Sequence, residues 1–548
     1  MSAPVTSRRP DAPVTRTGFG QLLRSEWTKF RTVRGWPITL VAVVALTAIL
    51  PSWLASTATT NDPETCTAQG CQVEGRYFAT GPSGTAVLDA FTFVHQPVGA
   101  DGSITARVAG LHGTGHVSPP LGFGPPLSIQ PWAKAGLMIK ASTRPGAPYA
   151  AVMLTGGHGI RMQDGFSHDL AGPAAAASQA RWLRLTRAGD TITGWASATG
   201  SAWTEVGTVR VAGLPATAQA GIFVTSPDFS EAVGSGDNQY STRTQAAATF
   251  TGLRLAGGTG GTGTAGTAGR SWADAVVSDG GPVLSGPAGT HRGKCGSGCH
   301  EFLSSPGVTR RAGTYTLTGS GDIAPFTPII DPVHVAFLAT LFGLIAVIGL
   351  GAVFITAEYR RSLIRTTLAA TPRRGRVLLA KGIVVGGATF AAALIGTAIA
   401  FPVAGHELAR NGWKLPVWTD YALTSGTGLQ VVIGTAATAA AVAVLALAAG
   451  TVFRRGAGAV TAVIGLVVMP LVLAIVLPLG PATWLLRLTP AAAFSLQSTV
   501  PHYSQVASVC SPYHGCFPLL PWSGFAVLCA WAAAALAGAI WLLRRRDV

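Results

Sequence analysis

Six runs of apolar residues punctuate the chain, and they are unevenly placed. One lies near the start, at roughly 36–55. A polar, Gly-rich stretch of about 275 residues, 56–330, follows it. The other five runs crowd together at about 333–356, 382–404, 428–452, 457–479 and 520–543, within a segment spanning 331–548. Each is about twenty residues or longer, the length of a helix that crosses a bilayer. None contains Asp, Glu, Lys or Arg. The expected fold class is an α-helical polytopic membrane protein of six spans, with a large all-β extracytoplasmic sandwich domain inserted after the first.

Between the apolar runs the period changes. Residues 1–18 are rich in Pro, Ser, Thr and Arg and are expected to form a disordered cytoplasmic tail. Over 19–35, Phe19, Leu22, Leu23, Trp27, Phe30 and Val33 recur every three or four positions. Arg24, Lys29 and Arg31 sit mostly off that face, which predicts an amphipathic helix lying in the membrane surface. A plain juxtamembrane anchor accounts for the same pattern. From 76 to 255 the period is two, with strands expected at 103–108, 135–140, 150–154, 182–186 and 220–225 and turn signals at 100–103 and 188–190. Many short strands without a helix predict a β-sandwich. Residues 256–270 form a Gly-rich linker, and 271–330 are expected to form a second, small β element.

Composition adds one correction to first impressions. A formal net charge of +16 suggests nucleic acid, but the distribution points to a membrane. Seven Lys or Arg precede the first run, seven lie between 357 and 381, two are Arg454 and Arg455, and three are Arg544, Arg545 and Arg546. Loops 405–427 and 480–519 hold only Arg410, Lys414 and Arg487. With the N-terminus inside, six spans put the first group in the cytoplasm and the last three outside, the positive-inside pattern. The expectation is a multi-pass cell-membrane protein in contact with lipid and not with nucleic acid, both termini cytoplasmic and 56–330 extracytoplasmic. The first run reads as a signal anchor, because its flank is long for a cleaved signal. Cys66, Cys71, Cys295, Cys299, Cys510 and Cys516 all fall outside under this topology. They are expected to form disulfides, neighbour with neighbour being the simplest of the 15 pairings. Cys295, Cys299 and His300 are similar to a haem-attachment motif, but spaced one residue too far.

The sharpest motif is 356–376, Thr-Ala-Glu-Tyr-Arg-Arg-Ser-Leu-Ile-Arg-Thr-Thr-Leu-Ala-Ala-Thr-Pro-Arg-Arg-Gly-Arg. Together with Arg-Ser-Glu-Trp-Thr-Lys at 24–29 and the Leu-Leu-Arg-Arg-Arg-Asp end, it resembles the permease subunits of type-2 ABC exporters, over 19–55 and 330–548. The resemblance implies that loop 357–381 touches a cytoplasmic ATPase through Glu358, Tyr359, Arg360, Arg361, Arg365, Pro372, Arg373 and Arg374. It implies that Glu26, Trp27 and Lys29 belong to an N-terminal interfacial helix, that a second permease protomer (identical or homologous) completes the unit, and that the cargo is apolar or amphipathic. The residues themselves suit docking: Leu363, Ile364, Thr367 and Leu368 offer an apolar ridge and the arginines suit an acidic partner. Setting topology or binding anionic lipid also explains those arginines. Glu358 is expected to pair with an arginine or to cap the helix start. No G-x-x-x-x-G-K-[ST] occurs, so no cofactor is expected in this chain; ATP and Mg would sit on the partner.

The segments 132–138, 182–187 and 197–207 resemble concanavalin-like lectin and glucanase domains, although Thr199 stands where relatives often carry Asp. Glycosidases need two clustered carboxylates, and no E-x-D-x-E-like strand is present, so no enzymatic activity is expected. Trp132, Trp195 and Trp203 read either as a face for an envelope sugar or as core residues; His158 and His168 read as loop histidines. The rival function is a membrane-anchored receptor or envelope-binding protein acting through the sandwich, for which one span would suffice. An ion-coupled transporter usually carries ionisable groups inside the membrane, and the six runs hold no Asp, Glu, Lys or Arg.

Overall fold

The computed structural model describes residues 18–58, 65–67, 70–73, 76–113, 129–232, 239–242, 244–257, 271–277, 307–328, 330–360, 374–413, 415–418, 420–506 and 516–545. Two helices open it, α1 (Phe19–Thr32) and α2 (Gly35–Thr57). The strands follow in chain order: β1 (Thr65–Thr67), β2 (Gly70–Val73), β3 (Arg76–Thr80), β4 (Ala86–Asp89), β5 (Phe91–Val98), β6 (Asp101–Gly113), β7 (Lys134–Lys140), β8 (Tyr149–Thr155), β9 (Ile160–Asp164), β10 (His168–Ala171), β11 (Arg181–Ala188), β12 (Thr191–Ser197), β13 (Thr204–Arg210), β14 (Ala218–Thr225), β15 (Phe229–Ala232), β16 (Gln239–Thr242), β17 (Ala246–Ala256), β18 (Ala273–Val277), β19 (Gly307–Arg311), β20 (Thr314–Gly319) and β21 (Ile323–Pro325). Then come α3 (Pro332–Phe337), α4 (Thr340–Arg360), α5 (Arg374–Arg410), α6 (Gly426–Phe453), α7 (Gly456–Val467), α8 (Met469–Val476), α9 (Leu479–Leu488), a 3-10 helix (Pro490–Gln497) and α10 (Pro521–Arg545).

Two seven-stranded antiparallel sheets make the sandwich. The first runs β10-β9-β8-β7-β14-β5-β18 and the second β13-β12-β11-β6-β17-β20-β19. The alternating residues expected from the sequence meet between them: Ile104, Ala106, Leu183, Leu185 and Ile192 from one sheet and Leu137, Ile139, Val152 and Ile222 from the other are fully buried. The described strands of 271–330, expected as a second small element, instead complete existing sheets, β18 beside β5, β20 beside β17 with β19 beside β20, and β21 beside β4, because their open edges gain ladder hydrogen bonds there.

The centre of the first sheet is buried on both faces. Every residue of β7 and β8 is buried, since β3, β4 and β21 cover the face turned from the core. Two lysines of β7 are enclosed on that face. Lys134 bonds Asp322 at 2.7 Å and Lys140 bonds Asp89 at 2.6 Å. Phe91, Tyr149 and Phe166 surround the Lys140 ammonium. Burial pushes the Asp89 carboxyl up and the Lys140 ammonium down, and each partner's charge opposes that shift.

Among the described residues six helical segments are long and apolar enough to cross a membrane: Gly35–Thr57, Pro332–Arg360, Arg374–Arg410, Gly426–Phe453, Gly456–Val476 and Pro521–Arg545. Small residues set their spacing. Gly396 of α5 faces Thr47 of α2, and Gly351 of α4 faces the Ala443 carbonyl of α6, so backbones approach closely. Pro470 stands where the expected fifth span breaks into α7 and α8, and Pro478 precedes α9. The expected loop 480–519 is partly helical: residues 490–496 are buried against α10 and α6. The expected third span is longer than its apolar run. Its 37 residues extend about 55 Å at 1.5 Å per residue.

The sandwich and the helices meet at one end of α5. Ala86 N–H donates to the Pro416 carbonyl at 2.8 Å, and Phe78 and Ala86 pack on Val417. The buried Gln505 amide donates to the Ser167 carbonyl at 2.8 Å. Asn411 and Trp413 donate to carbonyls at the end of α2. Asp331 caps α3 and accepts from Thr499 Oγ1 at 2.9 Å, tying α3 to the chain after the 3-10 helix.

Candidate functional site

The opposite end of the bundle collects most of the charges. Helix α1 ends with Lys29 and Arg31 in its last turn, where cations complement the helix dipole. Its inward ridge is Leu23, Glu26 and Phe30, one helical turn apart; Glu26 and Phe30 are buried and Leu23 packs beside the Phe30, Phe354 and Leu378 cluster. The sequence pattern instead placed Trp27 on the apolar face. Trp27 is 47% exposed, with its ring stacked at 6.1 Å on Phe30, while a carboxylate occupies the packed ridge.

That carboxylate has a reason to be inside. Lys381, in the second turn of α5, is fully buried, and its Nζ donates to Glu26 Oε2 at 2.6 Å and to Glu358 Oε1 at 2.7 Å. Lys29 Nζ donates to Glu26 Oε1 at 3.1 Å and lies 3.8 Å from Glu358 Oε1. Phe354 lies below the Lys381 ammonium, its ring centroid 5.0 Å away. Two carboxylates and two ammoniums thus join α1, the last turn of α4 and the first turns of α5, with no net charge. Such a cluster is tolerated in a low-dielectric interior because each ion has an opposite partner within hydrogen-bond reach. Among the described residues Glu358 therefore pairs with lysines, and it lies at the end of a helix, not at its start.

The neighbouring cations fold onto the same helix ends. Arg374 Nη1 donates to the Leu543 carbonyl of α10 at 2.7 Å. The Arg376 guanidinium lies over Phe19 at 5.7 Å, and that of Arg454 over Tyr359 at 5.6 Å. Arg360 is exposed. Of the expected coupling loop, residues 357–360 continue α4 and 374–381 begin α5. Arg361, Arg365, Pro372 and Arg373, with the ridge 363–368, lie outside the described residues. Sequence reasoning missed Lys381. Its one signal was position: a lone lysine several residues past Arg374 and Arg376, where the apolar run had already begun.

The expected ligand tryptophans do not share a face. Trp132 is 5% exposed, stacked on His158 at 3.9 Å with the Arg161 guanidinium 5.5 Å away. Burial and Arg161 push the His158 imidazole down. His168 pairs with Asp164 at 3.2 Å. Trp195 and Trp203 are half-buried on the second sheet's outer side. Backbone register sets Cys66 opposite Cys71; Cys516 is disulfide-bonded; Cys295, Cys299 and Cys510 lie outside the described residues.

No family model matches the chain, and no curated protein does. Among solved structures it is similar to a functionally unknown protein from Saccharomyces cerevisiae, at 15% identity over 38% of this chain and 99% of that one, TM-score 0.20. It is similar to SCP-B, a member of the Eqolisin family of peptidases, at 7% identity over 42% and 98%, TM-score 0.22. It is also similar to the GH43 protein BlXynB from Bacillus licheniformis, at 12% identity over 30% and 35%, TM-score 0.17. Likenesses this slight assign neither a fold relative nor an activity.

Proposed function

We propose that this chain is the membrane-spanning permease of an exporter of the type-2 ABC class, driven by ATP hydrolysed on a separate cytoplasmic subunit. The observation that carries the reading is the buried Glu26–Lys381–Glu358 cluster. It binds the interfacial helix to the two helices that flank loop 361–373, so a push on that loop moves α1, α4 and α5 as one body. Helix α5 then carries the displacement along its length to the end where Asn411 holds α2. The basic residues of α1, α4, the start of α5, the α6–α7 turn and α10 gather at the cluster's end, which supports a cytoplasmic side there under the positive-inside rule. The sandwich, at the other end, is extracytoplasmic in this reading, a compartment that suits the disulfide-bonded Cys516 and the register of Cys66 opposite Cys71. A second protomer completes the pathway, and the apolar helix walls suit an apolar or amphipathic cargo.

The test is a mild-detergent pull-down of the tagged chain, followed by transport in reconstituted vesicles. The expected result is co-purification of an ATPase subunit, with transport lost in Glu358→Ala and in the Arg373→Glu/Arg374→Glu double variant at unchanged membrane levels. Recovery of the chain alone from membranes where it is abundant would overturn the reading, as would normal transport by those variants.

A further inference from the structure

The second sheet turns one face into the sandwich core and the other away from the first sheet, which is the one docked to the helices. On the outward face the strand register brings unlike residues together. Arg184 of β11 faces Trp195 of β12 and Thr105 of β6. Trp182 of β11 faces Arg107 of β6, and Arg107 faces Thr251 of β17. Thr105 in turn faces Arg254. Three arginines and two tryptophans from four adjacent strands therefore share one surface. A third tryptophan, Trp203, lies under Arg184, whose guanidinium carbon is 4.0 Å from the ring centroid.

Arg184 and Trp195 are each held at one polar edge, and the Arg184 guanidinium covers one face of Trp203. Arg184 Nε donates to Thr105 Oγ1 at 3.2 Å, and Trp195 Nε1 donates to Thr186 Oγ1 at 3.3 Å. Trp182 packs against Gly200 and Gly252, both at positive φ; a side chain at either would displace the ring.

The charge is what sets this face apart. Diagonal neighbours on a sheet face lie about 7–8 Å apart, so Arg107 stands near both Arg184 and Arg254. Among the described ion pairs none involves Arg107, Arg184 or Arg254. Glu205, the acid on this face beside Trp195, accepts from Thr208 at 2.8 Å. Like charges at this spacing repel, and no carboxylate among the described residues forms an ion pair with these three arginines. A bound polyanion would relieve the repulsion.

We propose that this face binds an acidic polysaccharide. A sugar ring would stack on the indole of Trp195, and successive carboxylates would take the planar forks of Arg184 (held in place over Trp203), Arg107 and Arg254, a geometry suited to bidentate pairing. The face is about four strands wide, roughly 15 Å at the usual strand spacing, which suits an extended chain. It points away from the sheet held by the helices, so the bilayer that would hold those helices does not supply the anion. The inference stands apart from the exporter assignment.

The experiment uses the full chain in nanodiscs of zwitterionic lipid, with polygalacturonate as probe and neutral dextran as comparison. The expected result is saturable binding of polygalacturonate and none of dextran. Arg184→Gln, Arg107→Gln and Trp195→Ala should each weaken it at least tenfold, while Arg144→Gln, an exposed arginine elsewhere on the sandwich, leaves it unchanged. Thermal midpoints check folding; if Arg184→Gln unfolds, the Arg107→Gln/Arg254→Gln double variant on other strands tests the same surface. Absence of polygalacturonate binding, equal binding of dextran, or equal affinity in the folded arginine variants would overturn the proposal. So would tighter binding of an oligonucleotide or of anionic vesicles to the same residues.

Discussion

Replacing Lys381 by Met removes the cation that, among the described residues, hydrogen-bonds both carboxylates of the charge cluster. Glu26 then keeps only Lys29, which is 47% exposed, and Glu358 keeps the same lysine at 3.8 Å. Removing one partner of a buried pair costs about 3–5 kcal/mol. The cost should appear locally, because α1 is a terminal helix held mainly by Phe30, Leu23 and this cluster. At about 1.4 kcal/mol per tenfold change in an equilibrium constant, α1 should undock roughly two to three and a half powers of ten more often. Hydrogen exchange reads this directly: amides of Lys29 to Thr32 should exchange at least about a hundredfold faster, or reach the unprotected rate. The Lys381→Met/Glu26→Gln/Glu358→Gln triple variant should recover most of the protection, since it leaves no unpaired buried charge. Less than a fivefold change in Lys381→Met would refute the reasoning. A triple variant no better protected than the single one would show that the loss came from packing and not from charge.

Gly396→Ala should lower the thermal midpoint, because a Cβ there would strike Thr47 Oγ1 and lie 3.0 Å from the Val44 carbonyl; overpacking of this kind costs about 1–3 kcal/mol, whereas Gly349→Ala, with open space around it, should be silent. Arg187→Met should destabilise the sandwich by at least ~1.5–3 kcal/mol, the worth of a hydrogen bond to a charged group, since its guanidinium donates to the carbonyls of Gly189, Gly99 and Pro215; chemical unfolding followed by near-UV dichroism reads it. His158 is held below its ordinary pKa of 6.5, so the stability linked to its neutral form is complete above that value and is lost as pH falls below it. The Trp132 contribution to fluorescence, taken as wild type minus Trp132→Phe, should change with a midpoint below pH 6.5; a midpoint above it would refute the assignment. Lys140→Arg should destabilise the sandwich measurably in thermal unfolding, because the pocket that accepts one ammonium offers too few acceptors for five N–H donors.

The large features were legible because they repeat. Apolar runs of bilayer length and period-two stretches survive any local exception, and both predicted the right element types. What the sequence hid depends on pairing between distant segments. Nothing near 273–277 or 307–319 says that these strands complete sheets begun two hundred residues earlier; only the open edges of β5 and β17 decide it. The inward ridge of α1 was misjudged for a related reason. Periodicity scores Glu26 as polar and assigns it to solvent, yet Lys381, 355 residues away, makes burial possible. For Trp132 the sequence left a ligand face and a core position open; His158 and Arg161 cover the ring, which is 5% exposed.

Lysine usage carries information that neither periodicity nor composition captured. The chain has 39 Lys and Arg, of which only six are Lys. Four lie among the described residues, and all four pair with carboxylates: Lys29, Lys134, Lys140 and Lys381, the last three fully buried. A guanidinium spreads five donors over a plane and stays charged, so a closed apolar pocket rarely satisfies it. An ammonium needs only two or three acceptors around a point. Lys134 finds Asp322 and the Ile323 carbonyl, Lys140 finds Asp89 and the Ala147 carbonyl, and Lys381 finds two glutamates. In a chain that uses arginine almost everywhere else, a lysine within or beside an apolar stretch marks a place where a compact charge was required. Read that way, the rare lysines locate both the latch between the small sheet and the sandwich and the clamp among α1, α4 and α5, two junctions that no contiguous motif describes.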